Sequence, residues 1–163
     1  LLQGTEMEIK ADGSLDFDDE VLADLDFVVA SVHTSLQQDR ATLTSRMLKA
    51  IDNPYVHAIG HPTGRLIGKR EGGDFDLETL LQSAAETGTM MEVNASAERL
   101  DLDSVYVKRA IELGVTLTIN CDAHHPEGFE SLQFGVATAQ RGWASPKHIA
   151  NTYVLEALLT LKK

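Results

Sequence analysis

Apolar residues recur along this chain in two rhythms. Short, continuous runs at residues 27–32, 56–59, 89–93 and 115–119 have the length and composition of buried strands, the first (Phe27-Val28-Val29-Ala30-Ser31-Val32) rich in β-branched side chains. Residues 2–9 alternate partly and read as one more strand. Between these runs the spacing is helical. Leu43, Met47, Leu48 and Ile51 share one face of a helix predicted over residues 40–51, which Asn53-Pro54 stops. A second helix is predicted over residues 76–87, with Asp76 as its N-cap and Gly88 closing it. A third spans residues 103–113 and ends at Gly114, and two more lie near residues 131–140 and 151–161. Asp12-Gly13-Ser14 is a turn, and the acidic residues 16–25 form a short helix or turn. The repeated β-α order, with strands apolar on both faces, predicts a parallel sheet with outer helices. Ligands of such sheets bind at the carboxyl ends of the strands. The linker-like residues 68–74 are too short to divide the chain, so residues 1–163 read as one domain.

Composition narrows the function classes. Hydrophobic residues at 43% and charged residues at 24% suit a soluble globular chain. No apolar run approaches the roughly 18 residues of a membrane span, and no secretion signal is in view. A single cysteine, Cys121, excludes an internal disulfide framework and suits a reducing cytoplasm. The net charge of -11 has the wrong sign for bulk electrostatic capture of nucleic acid. A phosphate substrate would need metal ions or a local basic patch. The chain begins at Leu1, so a processed or cut piece of something longer is expected.

Each predicted strand ends in side chains able to bind metal. The first carries Glu6 and Glu8, the next run into His33 and His61, the fourth carries Glu92 and Asn94, and the last runs into Asp122 and His124. A parallel layout gathers these tips, and imidazole with carboxylate suits zinc, manganese or iron. In extended chain Asp122 and His124 would face one site, with Cys121 and Ala123 turned into the core and His125 turned away. Glu8 could replace Glu6 as ligand, since both share a strand face. Glu92 reads as a core-edge carboxylate with a local partner, and Asn94 as a substrate contact. His57 lies near a strand start, at the wrong end of the sheet, and His148 sits in a helix start. The basic cluster Arg65, Lys69 and Arg70 follows His61 in a glycine-containing loop, where Arg65 could reach a phosphate; Arg99 is a further candidate. No Gly-x-Ser-x-Gly, Walker or Gly-x-Gly-x-x-Gly motif competes.

Four segments, Gly4-Thr5-Glu6-Met7-Glu8-Ile9, Ala30-Ser31-Val32-His33, Ile59-Gly60-His61-Pro62-Thr63-Gly64-Arg65 and Asn120-Cys121-Asp122-Ala123-His124, resemble the later motifs of the PHP (polymerase and histidinol phosphatase) domain. Glu92-Val93-Asn94-Ala95, Arg99-Leu100-Asp101-Leu102 and Arg141-Gly142-Trp143 sharpen the likeness to the PHP domain of bacterial family X DNA polymerases. The resemblance implies a distorted (β/α) barrel with a trinuclear site for Mn2+ or Zn2+. It implies that Glu6 bridges two metals, that His33 and His61 complete one, that Asp122 binds another and His124 the last. With the positional reading above, Glu6, Arg65 and Asn94 are the expected catalytic residues, and Arg65, Lys69 and Arg99 the expected phosphate contacts. The implied activity is a manganese-dependent 3'-5' exonuclease on DNA ends, serving repair in the cytoplasm; a phosphatase on a small phosphate ester and a non-catalytic brace are the rivals. The family's first motif, His-x-His, is absent, and a complete barrel takes about 200 residues or more. The chain therefore reads as the C-terminal part of that barrel, with the upstream part of the same domain as its partner and no membrane contact.

Overall fold

A computed structural model describes residues 2–161 of the chain. Five strands, β1 (Gly4–Glu8), β2 (Phe27–Ser31), β3 (Ala58–Ile59), β4 (Met90–Asn94) and β5 (Leu117–Asn120), form one sheet. Their order in space is their order in sequence, and every neighbouring pair is parallel. Helices α1 (Asp19–Ala23), α2 (Arg40–Asp52), α3 (Leu77–Thr87) and α4 (Ser104–Leu113) make the crossovers, followed by α5 (Leu132–Arg141) and α6 (Leu155–Leu159). Sequential order with right-handed crossovers winds in one direction only, which places the crossover helices on one face of the sheet.

Strand alternation divides that sheet chemically. Met7, Val28, Ala30, Ile59, Met91, Val93 and Leu117 lie beneath the helices and join Leu43, Met47, Ile51, Leu80, Leu81 and Val107 in one core cluster. Each fully buried aliphatic side chain contributes about 1.5–3 kcal/mol, so this layer dominates stability. The opposite face is not apolar throughout, contrary to the sequence pattern. Near the strand starts, Ala58 and Met90 meet Ala150, with Phe27, Val29, Leu158 and Leu161 packed around them. Toward the carboxyl ends the same face carries Glu6, Glu8, Ser31, Glu92, Asn94, Thr118 and Asn120. The strands read as doubly apolar because they are short and only their final positions turn polar.

The caps are local and legible. Asp39, Asp76 and Asp103 accept backbone N–H groups at the starts of α2, α3 and α4. Gly88 and Gly114 end α3 and α4 with φ of 77° and 85°, a left-handed conformation costly for other residues. The tail departs from the predicted helix over residues 151–161. Two 3₁₀ turns, Pro146–His148 and Ala150–Thr152, precede the shorter α6. Tertiary pairing overrides helical spacing here. The Asn151 amide accepts the Ile119 N–H at 2.7 Å and donates to the Ile119 carbonyl at 3.0 Å, and Ile149 pairs in parallel with Leu117. The tail thus closes the outer edge of β5. The outer edge of β1 pairs with no strand among the described residues. No described helix is long and apolar enough to cross a membrane.

Candidate metal centre

Three side chains converge at the carboxyl ends of β1, β2 and β3. Glu6, on the polar face of β1, lies opposite Val29 in the β1–β2 register. His33 follows β2 by two residues and His61 follows β3 by two. The Glu6 Oε1 atom lies 3.1 Å from His61 Nε2 and 3.4 Å from His33 Nε2. The two imidazoles meet edge to face, with centroids 5.0 Å apart. Each of the three residues offers a ligand atom within 4.8 Å of the others. Ligand atoms held at about 2.0–2.2 Å from one ion sit at such mutual separations.

The hydrogen bonding supports the fit. His61 is 2% exposed, yet neither of its ring nitrogens has an aligned hydrogen-bond partner, and the buried Ser31 Oγ has none either. Buried polar atoms without partners cost about 1–3 kcal/mol each unless something else satisfies them. A cation between the imidazoles and Glu6 would satisfy His61 Nε2, the ring nitrogen that faces Glu6. Gly60 keeps the backbone beside this group closely packed. A Cβ at that position would stand 2.3 Å from Ser31 Oγ, 2.9 Å from Val29 Cγ1 and 3.5 Å from Glu6 Oε1. The His33 and His61 imidazoles hold the Glu6 carboxyl well below the usual carboxylate range. Glu6 in turn raises the His33 imidazole against the opposing effect of burial, and Glu8 adds to the rise.

Two buried carboxylates hold the loop that carries His61. His61 has φ of 28°, an uncommon conformation for a residue with a side chain. Glu92 Oε2 accepts its N–H at 2.6 Å. Asn94 and Asn120 donate to the same carboxylate at 3.2 and 2.9 Å. Burial pushes the Glu92 carboxyl up, against these hydrogen bonds. Asp101, fully buried, accepts the Thr63 hydroxyl at 2.9 Å and the Thr63 and Gly64 N–H groups at 3.0 Å each. Burial also pushes Asp101 up.

The other predicted residues lie elsewhere. Asn94 is fully buried; its Nδ2 serves Glu92 and its Oδ1 accepts the Ser96 N–H at 3.0 Å. Asp122 and His124 do not join the three-residue group. The extended chain expected after β5 is broken at Asp122, which has φ of 51°, and the His124 ring folds back to donate Nδ1–H to the Asp122 carbonyl at 2.8 Å. Both line a separate cleft of about 470 Å3 with Ser96, Cys121, Glu127 and Ser131. Cys121, expected in the core, is half-buried on that cleft because the chain leaves the strand before reaching it. Arg65 is engaged with the neighbouring loop: Nε donates to the Arg99 carbonyl at 2.7 Å, Nη2 to the Leu100 carbonyl, and Nη1 lies 3.4 Å from Asp103. Lys69 pairs with Glu98 at 2.8 Å. Arg99 keeps a buried Nη1 with no partner among the described residues. His57 stacks on Phe27, and its Nδ1 accepts the Val28 N–H at 3.0 Å. His148 Nδ1 accepts the Ser145 N–H at 3.0 Å.

Sequence reasoning passed over Arg46 altogether. Its signal was visible: it lies three residues after Leu43 and beside Met47, on the apolar face of α2, where a charge needs a buried partner.

No family model matches the chain. Among curated proteins, it is 44% identical over 156 residues to the DNA polymerase/3'-5' exonuclease PolX of Bacillus subtilis, covering 96% of this chain and 27% of that protein. It is 32% identical over 134 residues to a "Probable phosphatase" of Thermoanaerobacter sp. (strain X514), covering 76% of this chain and 52% of the relative. A "Probable phosphatase" of Photobacterium profundum is 30% identical over 148 residues, covering 82% of this chain and 56% of the relative. The chain therefore spans about a quarter of the first relative and about half of the others.

Proposed function

We propose that this chain is the C-terminal part of a PHP-type phosphoesterase domain, and that the protein containing it hydrolyses phosphodiesters at DNA 3' ends beside a polymerase activity. The observation that carries the reading is the convergence of Glu6, His33 and His61, with His61 Nε2 buried, 3.1 Å from Glu6 Oε1 and without an aligned hydrogen bond. Similarity to a polymerase/3'-5' exonuclease along 96% of the chain supports the DNA substrate. Two imidazoles and a carboxylate suit Mn2+ or Zn2+. When bound, such an ion polarises a phosphoryl oxygen and makes water a better nucleophile. Glu6, His33 and His61 hold it. Asp122 and His124, on the neighbouring cleft, serve further ions whose remaining ligands come from outside this chain. Arg65, Lys69 and Arg99 are the candidates for the phosphate contact; Arg65 and Lys69 would have to leave protein partners to make it, and the Nη1 of Arg99 would have to leave its buried position. The five-stranded sheet supplies part of a barrel, and strands added at the free edge of β1 would extend it.

The test is His33→Ala in the full-length parent protein. Nuclease activity on a labelled 3'-ended strand should vanish while polymerisation persists, because the chemistry is local to the ion. Equal loss of both activities in a folded protein would overturn the reading. A phosphatase function is the second reading, favoured by the likeness to probable phosphatases over 76% of the chain. Competition between a 3'-ended oligonucleotide and a small phosphate monoester separates the two.

A further inference from the structure

Glu8 shares the polar face of β1 with Glu6 and stands equally near the carboxyl ends, so strand position alone makes it an equal candidate ligand. Its hydrogen bonds say otherwise. Oε1 accepts the Thr34 hydroxyl at 2.8 Å, the Thr34 N–H at 3.2 Å and Arg46 Nη2 at 2.9 Å. Oε2 accepts the His33 N–H at 3.0 Å and faces His33 Nδ1 at 2.7 Å. A carboxylate offers about four lone-pair sites, and five donors already surround this one. No lone pair is left for a metal.

Arg46 explains why Glu8 holds still. The Arg46 side chain is 1% exposed, reaching from α2 through the core to the polar face. Besides Glu8, its guanidinium donates to the Ile9 carbonyl at 2.9 Å, the Thr34 carbonyl at 3.0 Å and Gln38 Oε1 at 3.2 Å. The planar fork fixes several directions at once, which a lysine could not do. Glu8 is thereby locked between a buried cation and the β2 exit.

We infer that Glu8, clamped by Arg46, is a positioning residue that holds the His33 Nδ1–H and so aims the His33 Nε2 lone pair at the site shared with Glu6 and His61. A carboxylate can only accept, so it selects the imidazole form with its proton on Nδ1. Histidines that bind metal through one nitrogen are commonly held by a carboxylate on the other, and loss of that partner costs about 10- to 100-fold in metal affinity. The effect on affinity rests on the metal reading of Glu6, His33 and His61; the orientation of His33 does not.

The experiment uses the chain, Zn2+ as probe, and Glu8→Gln and Glu8→Ala, with thermal melts to confirm folding. Zn2+ affinity should fall about tenfold or more in both variants. Nitrogen-15 spectra of the zinc-loaded wild type should show His33 with its proton on Nδ1 and the metal on Nε2. Affinity within twofold of wild type in folded variants, or metal on Nδ1, would overturn the inference. If the wild type takes up no Zn2+, the metal reading falls, and the metal-free spectra still decide the positioning role. A slowly exchanging Nδ1–H on His33, lost in Glu8→Ala, supports it; a freely exchanging one in the wild type overturns it. Should either variant fail to fold, the wild-type spectra alone decide.

Discussion

At the scale of single residues, the centre depends on what is missing as much as on what is present. Gly60 leaves room where a methyl group would strike Ser31 Oγ, at 2.3 Å, and crowd Val29. Gly60→Ala should therefore cost about 1–3 kcal/mol, the usual range for overpacking a filled site. It should also weaken Zn2+ binding, because Val29, which the Cβ would push aside together with Ser31, pairs with Glu6 across the β1–β2 register. Denaturant titration and a Zn2+ titration on the same preparation check both effects, and unchanged affinity would show that Gly60 guards packing only. Asp101 makes a different demand. Its carboxyl pKa is raised by burial, so its ionised form is disfavoured in the folded state. The sign follows: its contribution to stability is fully present below the unfolded carboxylate pKa and is lost as pH rises through the folded value. Asp101→Asn carries no such ionisation. The stability gap between wild type and Asp101→Asn should narrow as pH rises from about 4 toward neutrality. Thermal melts in chelator across that range test this, and a widening gap would contradict it.

Among elements, the helices can be disturbed without touching the centre. Asp39 caps α2 by accepting the Thr42 N–H at 3.0 Å and the Thr42 hydroxyl at 2.7 Å, on the exposed side of the helix. Asp39→Ala should cost about 0.5–2 kcal/mol and leave Zn2+ affinity unchanged. Loss of affinity along with stability would mean that α2 transmits cap strain to Arg46 and thence to Glu8. The loops behave differently from the helices. The segment around residues 61–64 is tied to β4 through Glu92 and to the turn after it through Asp101, while Arg65 and Lys69 tie the following loop to residues 98–103. The β3 strand itself is only two residues long, so these side-chain ties, rather than ladder hydrogen bonds, place His61.

For the whole molecule, the decisive feature is the asymmetry of the sheet edges. The β5 edge is occupied by Ile149 and Asn151, whereas β1, which carries Glu6 and Glu8, is unpaired on its outer side among the described residues. An unpaired strand edge beside the centre invites further pairing. Among the described residues one three-residue group is close enough to cage an ion, and Asp122 and His124 stand apart from it. The chain on its own should therefore bind a single Mn2+ or Zn2+ ion weakly and show no useful hydrolysis of a labelled 3'-ended strand. Metal analysis after dialysis and an assay beside the full-length protein test this. Three tightly held ions per chain, or turnover comparable with the intact protein, would refute the proposal that ligands outside this chain complete the centre.

What the sequence determined by itself were the features that depend on near neighbours. Helical spacing at Leu43, Met47 and Ile51, caps at Asp76 and Gly88, and short β-branched runs follow from backbone geometry within a few residues, and they placed five strands and most helices. The same runs, ending in Glu6, His33 and His61, pointed to one end of a parallel sheet, because parallel strands must all end on the same side. Tertiary structure alone decided which tips meet. Asp122 leaves the extended conformation, so alternation could not carry its side chain or that of His124 toward the other three. Asn94, expected at the substrate, is buried and tied to Glu92, because the segment reaching Asp101 folds back over it. The predicted terminal helix gave way to 3₁₀ turns because Asn151 pairs with Ile119, more than thirty positions earlier in the chain. Glu6 and Glu8 are chemically alike and share one strand face. Only the arrival of Arg46 from α2 and of Thr34 from the β2 exit distinguishes them, saturating Glu8 and leaving Glu6 open to a cation.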